Sequence, residues 1–285
     1  MSIWVEAARP RTLPAAVVPV LVGTATAGRV IAWRAAAALV VSVALQVAVN
    51  YANDYFDGVR GIDTPERVGP RRVTASGLVR PSRMRIAIGV ALAVAAAAGS
   101  ALAVAVGPEL LLVGAASIAA ALAYSGGPRP YASAGLGEAF VFVFFGLVAT
   151  TGSAYVQAGT IPAVTAAVSI TVGLLATAIL VVNNLRDIGT DEAAGKRTLA
   201  VRLGDRGTRR LFAGLLAAAA TSLALVAAAA PHPERALALL VLVVPGVALV
   251  RDVDAAEGAA LVRCLVRTSL LHLAFGVAAG ALLWR

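Results

Sequence analysis

The chain has 285 residues, 60% of them apolar, and carries 24 Lys and Arg against 15 Asp and Glu for a net charge of +9. Soluble domains run at roughly 45–50% apolar, so this excess and a mean hydropathy of +0.86 exclude an ordinary soluble fold and imply a lipid bilayer as partner. A nucleic-acid surface is excluded too, because the basic residues sit in gaps between apolar runs.

Nine apolar runs follow one another, at 12–28, 35–52, 86–107, 109–125, 136–158, 161–182, 211–230, 236–250 and 264–284. A membrane-spanning helix needs about 20 such residues. Aromatics are only 5%, and bulk from Ala, Val and Leu suits closely packed membrane helices. The first run has the outline of a secretory signal, with Arg9 and Arg11 before it and small residues from Thr24 to Gly28 at its end. It reads better as a retained helix anchored by Arg9-Pro10-Arg11. The run 236–250 is the weakest, because it contains Pro245 and covers only about 23 Å at the helical rise. It is counted as a span on the evidence of charge. With nine spans and the N-terminus inside, the cytoplasmic side receives 1–11, 53–85, 126–135, 183–210, 251–263 and Arg267. These hold 20 of the 24 Lys and Arg residues, and Arg29, Arg34, Arg235 and Arg285 fall outside. The expected fold is an all-α, multi-pass integral protein of the cell membrane. It has one domain over 1–285, nine transmembrane helices, a cytoplasmic N-terminus and an outside C-terminus. The single cysteine, Cys264, allows no internal disulfide and reads as a packing residue.

Two long polar segments interrupt the apolar pattern, and long loops in compact proteins tend to carry function. The first opens as NYANDYFDGVRGID at residues 50–63. Asn50, Asn53, Asp54 and Asp57 recur at i, i+3, i+4 and i+7, which makes one polar stripe on a helix. The second opens as NNLRDIGTD at 183–191, where Asn183, Asp187 and Asp191 form a second stripe. Asn50 and Asp54 lie 133 residues before Asn183 and Asp187, and each stripe is accompanied by seven basic residues. Arg60, Arg67, Arg71 and Arg72 belong to the first set, Arg186, Lys196 and Arg197 to the second.

Carboxylates that face each other repel unless a cation lies between them. Oxygen donors in small number suit Mg²⁺, which keeps several waters and shares its shell with phosphate oxygens. Arg and Lys alongside would take the remaining phosphate charge. The pattern therefore points to a diphosphate held through Mg²⁺, with Asp54, Asp57, Asp187 and Asp191 as metal-holding and catalytic residues. Solvated charge runs are the plain alternative. Against it stands the cost of placing polar stripes at membrane depth. A transporter would keep its site near the midplane of the bilayer, whereas both stripes lie at helix ends. An assembly protein would not need four such aspartates.

Asn53-Asp54-Tyr55-Phe56-Asp57 and Asp187-x-x-x-Asp191 resemble the two aspartate-rich motifs of the UbiA superfamily of intramembrane prenyltransferases. The resemblance covers essentially the whole chain. It implies nine transmembrane helices around a central cavity open to the cytoplasmic side, and to lipid by a side portal. It also implies that the aspartates hold Mg²⁺ on an isoprenyl diphosphate. Many members carry a third aspartate where this chain has Gly61, with Asp63 two residues later.

Within the superfamily the details are similar to the dihydroxynaphthoate branch. The similarity lies in Ala8-Arg9-Pro10-Arg11-Thr12-Leu13-Pro14, in Arg60 to Asp63, in Gly127-Pro128-Arg129-Pro130-Tyr131 and above all in residues 183–205. Tyr124 is followed by Arg129 five positions on, as in that branch. What this implies is transfer of a polyprenyl chain from polyprenyl diphosphate to 1,4-dihydroxy-2-naphthoate, with loss of the carboxylate and release of diphosphate, giving demethylmenaquinone. A transferase with another acceptor, such as 4-hydroxybenzoate or haem, is the alternative. Substrate contacts are expected from Asn50, Asn53, Arg60, Arg72, Tyr124, Arg129, Asn183, Asn184, Lys196 and Arg197. Tyr55, Phe56 and Phe142 are candidates for shielding the allylic cation. His272 reads as a packed histidine, His232 as inert, Glu109 as a partner of its own helix dipole, and Glu138 as either structural or cavity-lining.

Overall fold

In the computed structural model, residues 2–61 and 72–284 are described, and they are all-helical. Asp63, Arg67, Arg71 and Arg285 lie outside the described residues. A short helix, Ile3–Ala7, and a 3-10 turn, Pro10–Thr12, precede the apolar helices. These are α1 (Pro14–Ala25), α2 (Ala32–Val59), α3 (Pro81–Val106), α4 (Glu109–Ala123), α5 (Gly137–Ala158), α6 (Ala163–Ala193), α7 (Leu199–Ala229), α8 (Pro233–Ala255) and α9 (Ala260–Leu282). Among the described residues, seven of them are long and apolar enough to cross a membrane, and α1 and α4 are shorter apolar helices.

The lengths invert one expectation. The run 236–250 becomes a helix of 23 residues, because its polar flanks stay helical on both sides. The short helices are instead α1 with 12 residues and α4 with 15. Proline at the first helical position fixes the starts of α1, α3 and α8, where a missing N–H costs nothing. Thr198 caps α7 by accepting from the Val201 amide at 3.3 Å. Both polar stripes lie on helix rather than loop, since α2 runs to Val59 and α6 to Ala193.

Of the seven long helices α6 is the most buried, and α1 packs against α2, α5, α6 and α9. One core cluster joins α6, α7, α8 and α9 through residues such as Val182, Phe212, Leu249 and Leu265. Cys264 is buried in it, and His272 is wholly buried in α9. At the bundle end away from the stripes, Arg34 donates to the carbonyls of Val156 (3.0 Å) and Ala105 (3.2 Å), and Arg29 donates to that of Gln157 (2.6 Å). These cations satisfy the last carbonyls of α5 and α3, where the helix dipole favours positive charge.

Two features shape the wall formed by α5. Residues Phe142–Val148 form a π-helical stretch. Gly146 on α5 and Gly173 on α6 are pressed together, and a Cβ on Gly173 would come within 3.0 Å of the Gly146 Cα. The Phe142 ring lies closer still, at 2.8 Å, so a side chain there meets a ring and backbone together. Gly173→Leu is therefore expected to destabilise the fold by about 1–3 kcal/mol or more. A thermal melt in detergent checks this, with Gly189→Leu, on an open face of the same helix, as the control that melts near the parent protein.

Candidate active site

The stripes on α2 and α6 end beside one another at the mouth of a cavity of about 300 Å³. Asn50, Asn53 and Asp57 line it from α2, and Asn183, Asn184, Asp187 and Asp191 from α6. Arg9, Arg72, Tyr124 and Lys196 complete the polar end. Beyond it the walls turn apolar, with Val41, Leu45, Leu102, Val148 and Ile179 among them.

Lys196 joins the two motifs. Its Nζ lies 2.9 Å from Asp57 Oδ2 and 3.7 Å from Asp191 Oδ1, and Arg72 Nη2 lies 3.5 Å from the same Asp57 oxygen. Asp57 is only 2% exposed, so these cations offset a charge that burial alone would make very costly. On α6, Arg186 donates to both oxygens of Asp187 at 2.7 Å and to Asn183 Oδ1 at 3.0 Å. The fork is rigid and holds Asp187 and Asn183 in one orientation.

Asp54 is placed differently from its neighbours. It is buried but does not line the cavity. Its two oxygens accept from the backbone amides of Val73 (3.0 Å) and Thr74 (2.8 Å), so it anchors the segment 72–79 onto α2. The reason lies in what meets it, since both carboxylate oxygens are taken up by these two amides.

The other expected contacts divide in the same way. Arg60 is exposed and donates to the carbonyls of Ser125 (2.9 Å) and Gly127 (2.8 Å). It braces the turn between α4 and α5 rather than lining the cavity. Arg129 and Arg197 are exposed and outside the lining, although the Arg197 amide donates to the Ser133 carbonyl at 3.0 Å. Glu138 is buried and accepts from Asn184 Nδ2 at 2.9 Å, which fixes the amide of a cavity residue. Glu109 accepts from the Tyr155 hydroxyl.

The aromatic wall is built from other residues than Tyr55, Phe56 and Phe142, none of which lines the cavity. Tyr124, Tyr131, Phe140 and Phe144 line it instead, as a continuous row with centroid spacings of 5.5, 3.9 and 5.9 Å. Burial pushes the Tyr124 and Tyr131 phenols well above their ordinary value, so both stay protonated at neutral pH and can donate. Arg9 was legible only as an anchor. In the structure it lines the cavity and donates to Asn53 Oδ1 at 3.3 Å, from a left-handed backbone conformation with φ 53°. The sequence carried no signal for it, since a following proline favours extended backbone.

Among the described residues, no three of His, Cys, Asp and Glu come together closely enough to hold a metal by themselves. The donors at the mouth are nonetheless all oxygens, contributed by two helices that face each other. This arrangement suits a Mg²⁺ ion whose shell is completed by a phosphorylated ligand.

Residues 16–282 match the UbiA prenyltransferase family. The chain is 48% identical over 219 residues to a 1,4-dihydroxy-2-naphthoate octaprenyltransferase of Mycobacterium tuberculosis, covering 76% of this chain and 75% of that one. It is 40% identical over 231 residues to the enzyme so named in Escherichia coli, covering 78% and 75%. The solved structure of a UbiA homolog from Archaeoglobus fulgidus bound to GPP and Mg²⁺ matches with a TM-score of 0.69 and 17% identity, over 98% of this chain and 100% of that one. An apo UbiA homolog from Aeropyrum pernix matches with a TM-score of 0.70 and 18% identity, over 99% and 98%.

Asp54→Ala would leave two buried amides without an acceptor, at about 1–3 kcal/mol each. The expected outcome is a lower melting temperature and faster hydrogen exchange at residues 72–79. Asp57→Ala, which strands no backbone amide, should leave that exchange close to the parent rate.

Proposed function

The chain belongs to the UbiA prenyltransferase family, as an integral membrane enzyme, and we propose that it transfers a polyprenyl chain from polyprenyl diphosphate to 1,4-dihydroxy-2-naphthoate. One observation carries this reading. A single cavity has both aspartate motifs at one end and apolar walls beyond, which fits a donor with a charged head and a hydrocarbon tail. The acceptor is the one named for the relatives at 40–48% identity. The overall reaction releases diphosphate and, from the acceptor's carboxylate, carbon dioxide, giving the prenylated dihydroxynaphthalene, the quinol form of demethylmenaquinone.

Asp57, Asp187 and Asp191 would hold Mg²⁺, with Asn53 and Asn183 as neighbouring oxygen donors. Asp54 acts on the site through the segment 72–79. When bound, the metal supplies charge stabilisation of the departing diphosphate. The chain's own residues do the rest. Lys196 and Arg72 stand beside Asp57 and meet the remaining phosphate charge. Arg9 and the protonated Tyr124 orient polar groups at the mouth. Tyr131, Phe140 and Phe144 present ring faces to the cationic C1 of the prenyl group and exclude water from it. The acceptor ring attacks that carbon as the bond to the diphosphate oxygen breaks. Holding both partners in one cavity removes the entropic cost of their encounter.

All nine apolar helices cross the membrane in this reading, α1 and α4 included, as one domain over 1–285. The polar mouth, the N-terminus and most basic residues face the cytoplasm, and the C-terminus faces outward. Charge supports this orientation, since 20 of 24 Lys and Arg residues fall on the inner side. A reporter fused at the C-terminus should be active only outside. Cytoplasmic activity would remove one span, α8 first.

Purified enzyme in detergent should require Mg²⁺ and convert 1,4-dihydroxy-2-naphthoate in preference to 4-hydroxybenzoate or haem. Full turnover in excess chelator would refute the metal, and preference for another acceptor would refute the naphthoate. Asp57→Ala, Asp187→Ala and Asp191→Ala should each lower kcat by about 10²-fold or more, as loss of one preorganised electrostatic group does. Lys196→Ala should chiefly raise KM for the donor, since the ground-state diphosphate already carries the charge it meets.

A further inference from the structure

A second cavity, of about 310 Å³, lies among α6, α7, α8 and α9 and shares no lining residue with the one at the aspartate motifs. Ala213, Ala217 and Ala220 line it from α7, and Leu242, Gly246 and Val247 from α8. Thr171 on α6 brings a hydroxyl to the lining, already hydrogen-bonded to Ser222 at 2.7 Å. A polar ligand would lose its hydration there without finding partners. The cavity opens sideways, since Ala217 is exposed and Val247 is 48% exposed although both line it. It is therefore a groove between α7 and α8 on the outer surface of the bundle. Along α8 it runs from Leu239 to Val250, roughly 17 Å at the helical rise. One leaflet of hydrocarbon is about 15 Å deep, half the thickness of the bilayer core. The groove thus has the length and the character of one lipid chain in one leaflet.

The residues at its end decide which lipid. Arg209 joins the start of α7 to the end of α8, donating to the carbonyls of Val253, Asp254 (3.2 Å) and Ala256 (3.0 Å). This is the end of the bundle at which α6 carries Asp187 and Asp191. Arg206 and Arg210 precede Ala213 on α7 by two turns and by one, and Arg251 follows Val247 on α8 by one turn. All three are exposed, and among the described residues none is in an ion pair. Of the acids nearby, Asp205 is held by Arg209 at 2.7 Å and Asp252 by Arg267, which leaves Asp254 and Glu257 outnumbered. Basic residues at the rim of a pocket between membrane helices recognise anionic headgroups.

We infer that the groove between α7 and α8 binds one anionic phospholipid, with an acyl chain along the groove and the phosphate against Arg206, Arg210 and Arg251. The inference goes beyond prenyl transfer and does not rest on it. Bound lipid fills the space where α8, packed closely on α7 over Pro233–Ala238, meets it more loosely further along. A zwitterionic lipid offers the same chains without the net charge and binds less tightly.

The test uses the full-length enzyme in detergent with dioleoyl phosphatidylglycerol and dioleoyl phosphatidylcholine in equal amounts, read by native mass spectrometry. One phosphatidylglycerol should bind in preference. Arg210→Gln combined with Arg251→Gln should lower that preference by about tenfold or more, since each basic residue near an anionic lipid contributes a factor of about five. Arg83→Gln combined with Arg85→Gln removes the same charge from exposed positions at the start of α3 and should leave the preference unchanged. Ala217→Trp fills the groove and should weaken both lipids. A preference that survives the Arg210 and Arg251 changes would overturn the inference, as would an equal loss in the Arg83 and Arg85 variant, which would reduce the effect to net charge. A dimer that forms in place of the lipid and is lost in Ala217→Trp would assign the groove to a second copy of the chain and overturn it too. Melting in detergent verifies folding. Should Ala217→Trp fail to fold, Ala220→Leu, half-buried in the same wall, must weaken both lipids in its place.

Discussion

A carboxylate at a helix end inside an apolar bundle must meet positive charge. Asp57 and Asp191 meet it in one ammonium group, Lys196 Nζ. This constraint organises the polar end of the molecule. Helices α2 and α6 must finish at the same level, although their motifs are 133 residues apart. The segment 194–198 must fold back over the mouth to deliver Lys196, and its Nζ contacts are matched by a backbone bond from the Lys196 amide to the Asp191 carbonyl at 2.8 Å. Arg72 must arrive from the other side, which the Asp54 anchor on Val73 and Thr74 ensures. Arg60 and the Arg197 amide then tie the turn 124–136 to both segments. The polar cap is thus assembled by charge compensation and amide satisfaction together with a small apolar core, in which Val73 and Val79 are buried with Ala7, Tyr51, Ala52 and Met84.

The apolar part of the cavity depends on a different device. Phe140, Phe144, Val148, Gly152 and Val156 all line it, at a spacing of four. In an ideal α-helix a spacing of four drifts by about 40° per step, so by Val156 the stripe would have wandered to the far side of α5. The π-helical stretch Phe142–Val148 has a wider turn and rotates the stripe back. One helix therefore presents a single wall from the aromatic row to the apolar depth. Such turns often mark functional segments, and here the reason is geometric. The Gly146–Gly173 contact holds the same stretch against α6, so the widened turn cannot slide.

Much of this was legible from the sequence because it obeys two strong periodicities. Apolar runs located the nine apolar helices among the described residues, and the i, i+4 spacing of Asn183, Asp187 and Asp191 put all three on the cavity face. Less was legible where a residue's role depends on what comes to meet it. Asp54 and Asp57 look alike in sequence. They part only because Val73 and Thr74 offer amides to one, and Lys196 offers an ammonium to the other. Arg60, Arg129 and Arg197 carry the right charge at plausible spacing but project from the cap. Aromatic residues misled for the same reason. Tyr55 and Phe56 sit beside the motif in sequence, whereas the π turn and the 124–136 segment bring Tyr131 and Phe140 to the cavity from elsewhere.

Arg9 shows how the N-terminal segment is joined to the site. A non-glycine residue with φ 53° and ψ 67°, held before a proline, costs on the order of 1–3 kcal/mol and persists only where its surroundings fix it. Those surroundings are on α2. Asn50 Nδ2 donates to the Ala8 carbonyl at 2.8 Å, and Asn53 Oδ1 accepts from Arg9. Thr12 closes the turn on the Arg9 carbonyl with both its amide and its hydroxyl, each at 3.0 Å. Two asparagines of the first motif thus use part of their polar capacity to keep the backbone at residues 8–9 in a strained turn. The turn aims a guanidinium into the cavity opposite Lys196 and Arg72. Asparagine suits position 50 better than aspartate, because Asn50 must donate and a carboxylate cannot. A second aspartate pair at 50 and 53 would also add negative charge that the three cations already share with Asp57 and Asp191.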